Sequence, residues 1–245
     1  MKKPNKAILD GDIIVWKTAY VADAEGPMAI DSLLGNQVSK WTPDGMDSVE
    51  VALSCKKHDN FRKDIYPGYK ENRAALYKPD CLVEVFDIIR DAYNCIELPK
   101  LEADDILGIQ ASAGESVAVT IDKDLRGVCG WHWNPDKEEE PIFITKEEAE
   151  RWFCIQWMAG DSTDGIAGLW RVGKKKATKF LEEWDEEEWH SQILEMYSEG
   201  KHVPKNKHDV DNLYEAMGQC VRILSHENYD FETNSILHWK PKVGI

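Results

Sequence analysis

The stretch Gly114-Glu-Ser-Val-Ala-Val-Thr-Ile-Asp-Lys-Asp124 decides the architecture. Its centre, Val117 to Ile121, is apolar and rich in β-branched residues, and it is bounded by Gly114 and the acidic turn Asp122-Lys-Asp124. Such a run reads as a strand buried on both faces, the kind that lies inside a parallel sheet. Working outward, Lys6-Ala-Ile-Leu-Asp10 is a second strand, stopped by Asp10-Gly-Asp12 and followed by a helical pattern from Ile13. Val49 to Ser54 follows a Pro43-Asp-Gly45 turn and predicts a third strand; Cys95 to Leu98 predicts a short fourth. Between them, Leu82, Val85, Phe86 and Ile89 recur at helical spacing in Asp80 to Tyr93, with Asp80 expected as the cap. Strand alternating with helix predicts an α/β fold with a mostly parallel sheet flanked by helices.

Past Pro141 the pattern becomes helical. Thr145 with Glu148 forms a capping box, and Ala149, Trp152, Phe153, Gln156 and Trp157 mark one helix face. A further helix is expected over Asp209 to Ser225, preceded by a loop from Glu199 to His208. The expected division is therefore 1–144 and 145–245. With 245 residues the chain is long enough for either one large or two modest domains. It carries no apolar run of the roughly 18 residues that a spanning helix needs, so a cytoplasmic protein with no membrane partner is expected. Six scattered cysteines without a C-x-x-C read as reduced thiols.

Four acidic clusters share one placement. Asp10 ends a strand, Glu102-Ala-Asp104-Asp105 follows a strand, Asp122-Lys-Asp124 ends a strand, and Asp161-Ser-Thr-Asp164 follows the Trp152 helix. Any one of these alone is an ordinary turn or cap. In an open parallel sheet, however, the carboxyl ends of the strands gather along one edge, where a crevice forms. Asp122 and Asp124 share a side of an extended segment, and Asp161 and Asp164 share a helical face. Glu102 and Asp104 diverge in a regular helix, so both reach one cleft only if Glu102 stands at or before the helix start. Crowded carboxylates raise each other's pKa and call for cations. An all-oxygen donor set favours two Mg²⁺ or Mn²⁺ ions, suited to in-line phosphodiester hydrolysis. The seven histidines show no zinc spacing.

The net charge of −15 argues against a nonspecific basic coat for nucleic acid. Two basic islands run against it. Lys56 to Lys78 includes Lys57, Arg62, Lys63, Lys70 and Arg73, interleaved with Phe61, Tyr66, Tyr69 and Tyr77, a mixture suited to phosphate pairing and base stacking. The second holds Arg171, Lys174, Lys175, Lys176 and Lys179, after a glycine-punctuated turn from Gly168 to Gly173 whose amides suit a backbone phosphate. Trp131-His-Trp133 reads as packing under a loop, and the acidic run Glu182 to Glu188 as a solvated connection.

These motifs resemble those of the bacteriophage 5′ to 3′ exonucleases and flap endonucleases, relatives of the 5′-nuclease domain of bacterial DNA polymerase I. The matching residues are Leu9-Asp-Gly11, Phe61-Arg62 leading to Tyr69-Lys-Glu-Asn-Arg73, Glu102-Ala-Asp-Asp105, Asp122-Lys-Asp124, and Gly160-Asp-Ser-Thr-Asp164 running into Gly168 to Ala177. The resemblance implies a PIN-like nuclease domain over 1–144 with a basic arch around 56–78, then a helix-three-turn-helix around 152–184. It implies that Asp10, Glu102, Asp104, Asp105, Asp122, Asp124, Asp161 and Asp164 bind two divalent ions. Lys70 and Arg73 are then the arch residues that engage the scissile phosphate, and the Gly168–Gly173 hairpin holds a potassium ion. The implied partner is DNA with 5′ ends or flaps, and also RNA–DNA hybrids, cut by a monomer in the cytoplasm, the host's for a phage protein. Two departures stand out. The family's acid after the second strand is replaced by Ser54-Cys-Lys-Lys57, with Asp59 nearby, and Arg171 replaces the middle hairpin glycine. A PIN-type endoribonuclease and a nonenzymatic junction-binding protein remain the alternatives.

Overall fold

The computed structural model describes residues 2–26, 29–56, 59–198, 201–202 and 212–242. Strand β1 (Lys6–Asp10) runs into helix α1 (Gly11–Glu25), then α2 (Ile30–Lys40) and β2 (Ser48–Ala52). Helix α3 (Phe61–Ile65) and a 3₁₀ turn (Glu71–Ala75) lead to α4 (Leu82–Ala92), β3 (Cys95–Ile96), α5 (Ala103–Ala113) and β4 (Val117–Val119). A second 3₁₀ turn (Lys123–Gly127) precedes β5 (Gly130–Trp133) and β6 (Ile142–Ile144). Among the described residues these strands form one sheet in the order β3-β2-β1-β4-β5-β6, parallel except for β6.

That order explains where a site forms. The chain moves outward from β1 through β2 to β3, then returns to the other side of β1 as β4. Connections leave β1 and β4 in opposite directions, which opens a crevice at their carboxyl ends. Asp10 and the Thr120–Asp122 segment flank it. Because both faces of β1 are covered, Ala7, Ile8 and Leu9 are all fully buried. On one face Leu9 and Val119 pack with Ile14, Trp41 and Ile89; on the other, Ile8 and Ala118 pack with Ile106 and Leu107.

Beyond the sheet, α6 (Lys146–Ala159) begins at the Thr145/Glu148 capping box, as its sequence predicts. A two-stranded ribbon of β7 (Gly160–Asp161) and β8 (Ile166–Ala167) leads to α7 (Lys174–Glu183), α8 (Trp189–Ser198) and α9 (Leu213–Val221). Their core centres on Phe153 stacked on Trp157, with Trp239 edge-on to both at 5.0 Å. Tyr66 and Tyr69 belong to this same core, so the segment after β2 is fastened to the helical half. The chain end returns to the sheet: Ile223, Leu224 and Tyr229 pack on α5. A Cβ at Gly108 would stand 2.4 Å from the Leu224 carbonyl, so this contact needs glycine.

Several expected boundaries shift. The strands at Val117, Val49 and Cys95 end earlier than their apolar runs, at Val119, Ala52 and Ile96. Thr120 leaves the run because its hydroxyl donates to Asp10 and accepts the Asp122 amide. Asp80 does not cap α4: the Pro79 carbonyl takes the Leu82 amide in a turn, which makes Cys81 the N-cap, with no side-chain bond. Trp131 packs edge-on against Phe143 at 5.5 Å and Trp133 Nε1 donates to the Glu138 carbonyl, so this pair is structural. The acidic run from Glu182 joins α7 to α8 and is largely exposed. Of the expected loop Glu199–His208 only Lys201 and His202 are described; the rest, Asp209–Val210 and Lys57 lie outside the described residues. No helix among the described residues is long and apolar enough to cross a membrane.

Candidate metal and nucleic-acid site

At the crevice, Glu102, Asp104, Asp122, Asp124, Asp161 and Asp164 line a single cleft, with Tyr69 and Arg62 on its wall. Asp10 is buried at the end of β1, outside the lining, and is one of the charges felt by Asp104. Glu102 stands outside α5 as the N-cap in an extended conformation, which lets it and Asp104 face one cleft despite their helical phase. Thr120 Oγ1 donates to Asp10 Oδ2 at 2.7 Å and ties the ends of β1 and β4 together. Asp122 caps the following turn by accepting the Asp124 amide at 2.8 Å.

The carboxylates differ in charge state. Burial, then the neighbouring Asp12, pushes Asp10 up to about 7. Burial, then Asp10 and Asp122, drives Asp104 well above the usual range, and burial with Asp122 lifts Asp124 to about 6. Glu102 goes the other way: burial would raise it, but Lys70 and Arg62 outweigh burial and hold it down to about 2. Lys70 Nζ lies 2.5 Å from Glu102 Oε1 and 3.8 Å from Asp164, and Arg73 pairs with Asp164. For Asp164 burial still wins over Lys70 and Arg73, and its pKa is raised.

Three expected roles change. Arg62, expected on DNA, is 3% exposed and forks onto Asp105 with two 2.7 Å bonds, while also donating to the Cys220 and Arg222 carbonyls. Asp105, expected as a metal ligand, is 0% exposed, and it also accepts the Leu224 and Glu102 amides. With its lone pairs filled it holds the chain end and α5 together rather than facing the cleft. Tyr69, expected to stack on bases, is buried, and its hydroxyl donates to Glu102 Oε2 at 2.5 Å. Lys63 is half-buried on α3, away from the cleft lining.

In the hairpin, a Cβ at Gly168 would lie 2.2 Å from the Ala159 carbonyl carbon, so the tight approach needs glycine. Arg171 takes the left-handed conformation, φ 59°, that glycine would adopt there, and its side chain is exposed beside Gly173 and Lys175. Lys174 turns inward, 3.6 Å from Asp124 Oδ1. Lys176 Nζ lies 3.1 Å from His202 Nε2. The carboxylate missed in the sequence is Asp12. It accepts the Ser54 amide at 3.0 Å and stands near Glu102 and Lys70. It therefore fills the space beside Ser54, whereas Asp59 is exposed. The doubled acid of Asp10-Gly-Asp12 was the available signal.

The donor set fits hard divalent cations. The cleft holds about 40 Å³, room for about three water-sized spheres at roughly 10–15 Å³ each. Asp124 Oδ1 is buried with no hydrogen-bond partner among the described residues. Lys174 is 3.6 Å from that oxygen, and the crowded, raised carboxylates around it form an all-oxygen donor set suited to further positive charge.

Fold and cleft together define a PIN-like, resolvase-like α/β protein with an acidic site at its sheet switch point. The chain belongs to the family described as 5′-3′ exonuclease, N-terminal resolvase-like domain, whose model matches residues 8–149. It is 29% identical over 224 residues to the exonuclease of Escherichia phage T7, covering 78% of this chain and 74% of that one. It is 33% identical over 198 residues to DNA polymerase I of Rhizobium leguminosarum, covering 72% of this chain but 19% of the polymerase. Among solved structures, T5 5′-exonuclease with bound divalent metal ions (zinc) has a TM-score of 0.58 at 15% identity, covering 87% of this chain and 84% of that one. A bacteriophage T5 flap endonuclease in a pseudo-enzyme-product complex with DNA and metal ions has a TM-score of 0.53 at 14% identity, covering 88% and 85%.

Proposed function

We propose that this chain is a divalent-metal-dependent 5′ nuclease that degrades DNA from 5′ ends and cuts 5′ flaps, leaving 5′-phosphates. The observation that carries the proposal is the convergence of six carboxylates from three separate segments on one small cleft, with Asp10 of a fourth segment buried near them, in a member of the 5′-3′ exonuclease family. Asp10, Glu102, Asp104, Asp122, Asp124, Asp161 and Asp164 are the residues that would hold two Mg²⁺ or Mn²⁺ ions. Such ions supply a water of lowered pKa and polarised phosphoryl oxygens. The chain's own residues do the rest. Tyr69 and Arg62 fix Glu102 in place. Lys70 and Arg73 set two cations beside the carboxylates, where charge develops in phosphoryl transfer, and so favour the transition state over the ground state. Arg171, Gly173 and Lys175 lie exposed around the start of α7 and position a duplex through its backbone, without reading sequence. Residues 1–144 then form the nuclease part and 145–245 the docking part. Backbone recognition of this kind extends to RNA primers in hybrids. The same reading allows a potassium ion at the Gly168–Gly173 hairpin, whose Leu169 carbonyl accepts one bond within the chain and keeps a second lone pair.

A 5′-labelled flap, incubated with Mg²⁺ beside an equal single-stranded RNA, tests the proposal. Cleavage of the flap is expected, with loss of at least about 10³-fold in rate when Asp122 and Asp124 are both changed to Ala, while DNA binding persists. Cleavage of the RNA alone would make the chain an endoribonuclease, and full activity in the double variant would refute the metal site.

A further inference from the structure

We propose that a second cavity beside the acidic cleft is a nucleobase pocket, which takes one base of the substrate strand out of its stack while the adjoining backbone lies at the carboxylates. The inference rests on the nuclease reading above. The cavity measures about 250 Å³ and shares Asp122 with the acidic cleft. Its walls come from Leu125 in the 3₁₀ turn, His132 of β5, Ile142 and Ile144 of β6, and Trp152 of α6. Small-molecule pockets start at roughly 300 Å³. A space just below that bound admits one ring-sized group and rejects a dinucleotide.

Two of these walls carry buried polar atoms, His132 Nε2 and Trp152 Nε1, with no hydrogen-bond partner among the described residues. Buried groups of this kind are rare, because leaving one unmade costs roughly 1–3 kcal/mol. His132 is 7% exposed, and burial brings its pKa down to about 4, so its ring is neutral. Its ring also bonds the Val128 backbone, which leaves Nε2 as an acceptor. Trp152 Nε1 is a donor only. Both atoms are closed to water, so it is the rings that carry them, with Leu125, Ile142 and Ile144, that offer a flat heterocycle a stacking surface in a lining that also holds Thr120, Asn134 and Glu138. Single strands are held in this way without sequence preference, bases on aromatic rings and backbone along cations.

The position suits a strand rather than a free metabolite. Lys174 Nζ stands 3.6 Å from Asp124 Oδ1 and 5.0 Å from the centre of the Trp152 ring, so one ammonium joins the cleft to the cavity. A phosphate linking a base in the cavity to a nucleotide at the carboxylates would pass this ammonium. Lys123, Arg126 and Lys137 line the same cavity and offer further cations to the backbone.

The test is a scan of 5′-flap duplexes in which one nucleotide at a time, around the junction, is replaced by an abasic residue. Affinity is measured by fluorescence anisotropy in EDTA at low salt. For the wild type, a single position should lose about tenfold in affinity, the scale of one stacked base. Trp152→Leu should bind the intact flap about tenfold more weakly and be indifferent to the abasic residue at that position. Its unchanged affinity for the abasic duplex would show that it is folded. His132→Ala, which removes a ring from the lining, should reduce the same positional effect. An even loss at every position, or the same positional loss in the wild type and Trp152→Leu, would overturn the pocket. Failure of the wild type to bind any flap would instead overturn the nuclease reading.

Discussion

The two sides of the acidic cleft are built from the same kind of side chain and differ in how closely the chain's own cations approach it. On the arch side, Glu102 and Asp164 meet Lys70, Arg73 and Tyr69, cations and a donor supplied by the chain; Glu102 is held down to about 2, while burial still raises Asp164. On the sheet side, Asp10, Asp104 and Asp124 stand at the ends of β1, α5 and β4 with each other for company, and Lys70 beside Asp104 and Lys174 and Lys123 beside Asp124 do not offset burial. Their pKa values rise, to about 7 for Asp10 and about 6 for Asp124. Neighbours rather than residue type therefore decide the charge of each carboxylate. One side has its counter-ions built in; the other is arranged to receive them.

The largest effect expected from this contrast is on stability and falls behind the arch side. Asp105→Ala strips the buried Arg62 of its two-bond partner and leaves it only the 3.4 Å contact with Glu102 as counter-charge, which should cost about 3 kcal/mol in a urea melt. A loss below about 1 kcal/mol would mean that the pair does not anchor the wall. Lys70→Ala comes next. It should slow single-turnover cleavage by about 10²-fold while changing DNA affinity much less, because its charge acts at the developing transition state. Equal losses in both would place Lys70 in binding alone.

Smaller still is a pH dependence of opposite sign at Asp10 and at Glu102. In EDTA, folded Asp10 keeps its proton up to about 7, whereas an unfolded aspartate loses it near the ordinary 3.8. The folded state binds more protons across that window, so this group lowers stability as pH climbs from about 4 to 7. Glu102 is depressed from 4.5 to about 2, so its contribution is present above about 4.5 and disappears as pH falls through 2. Melting temperature in EDTA should decline between pH 5 and 7, and Mg²⁺ should remove the decline. A metal-free melting temperature that climbs over the same interval would break the comparison.

Much of the cleft was legible in the sequence because strand ends are marked by apolar runs meeting Asp. β1 ends at Asp10 as read, and parallel pairing to β2 and β4 then brings distant acids to one edge. Roles that depend on depth were not legible. Asp105 is one residue from Asp104, but helical phase turns it inward to Arg62, while Asp104 faces the cleft. Nothing in the Phe-Arg motif says that the arginine is buried by a chain end arriving from residues 220–224. Asp12 was overlooked for a related reason: its partner, the Ser54 amide, is 42 residues away. Long-range partners set these functions, and local periodicity carries no record of them.

The central claim is that the sheet side of the cleft exists to hold divalent cations. Counting bound Mn²⁺ by electron paramagnetic resonance at pH 7.5 tests it most directly. Two ions per chain are expected, reduced to one or none in the Asp122→Ala, Asp124→Ala double variant. No bound ion in the wild type, or an unchanged count in the variant, would contradict it.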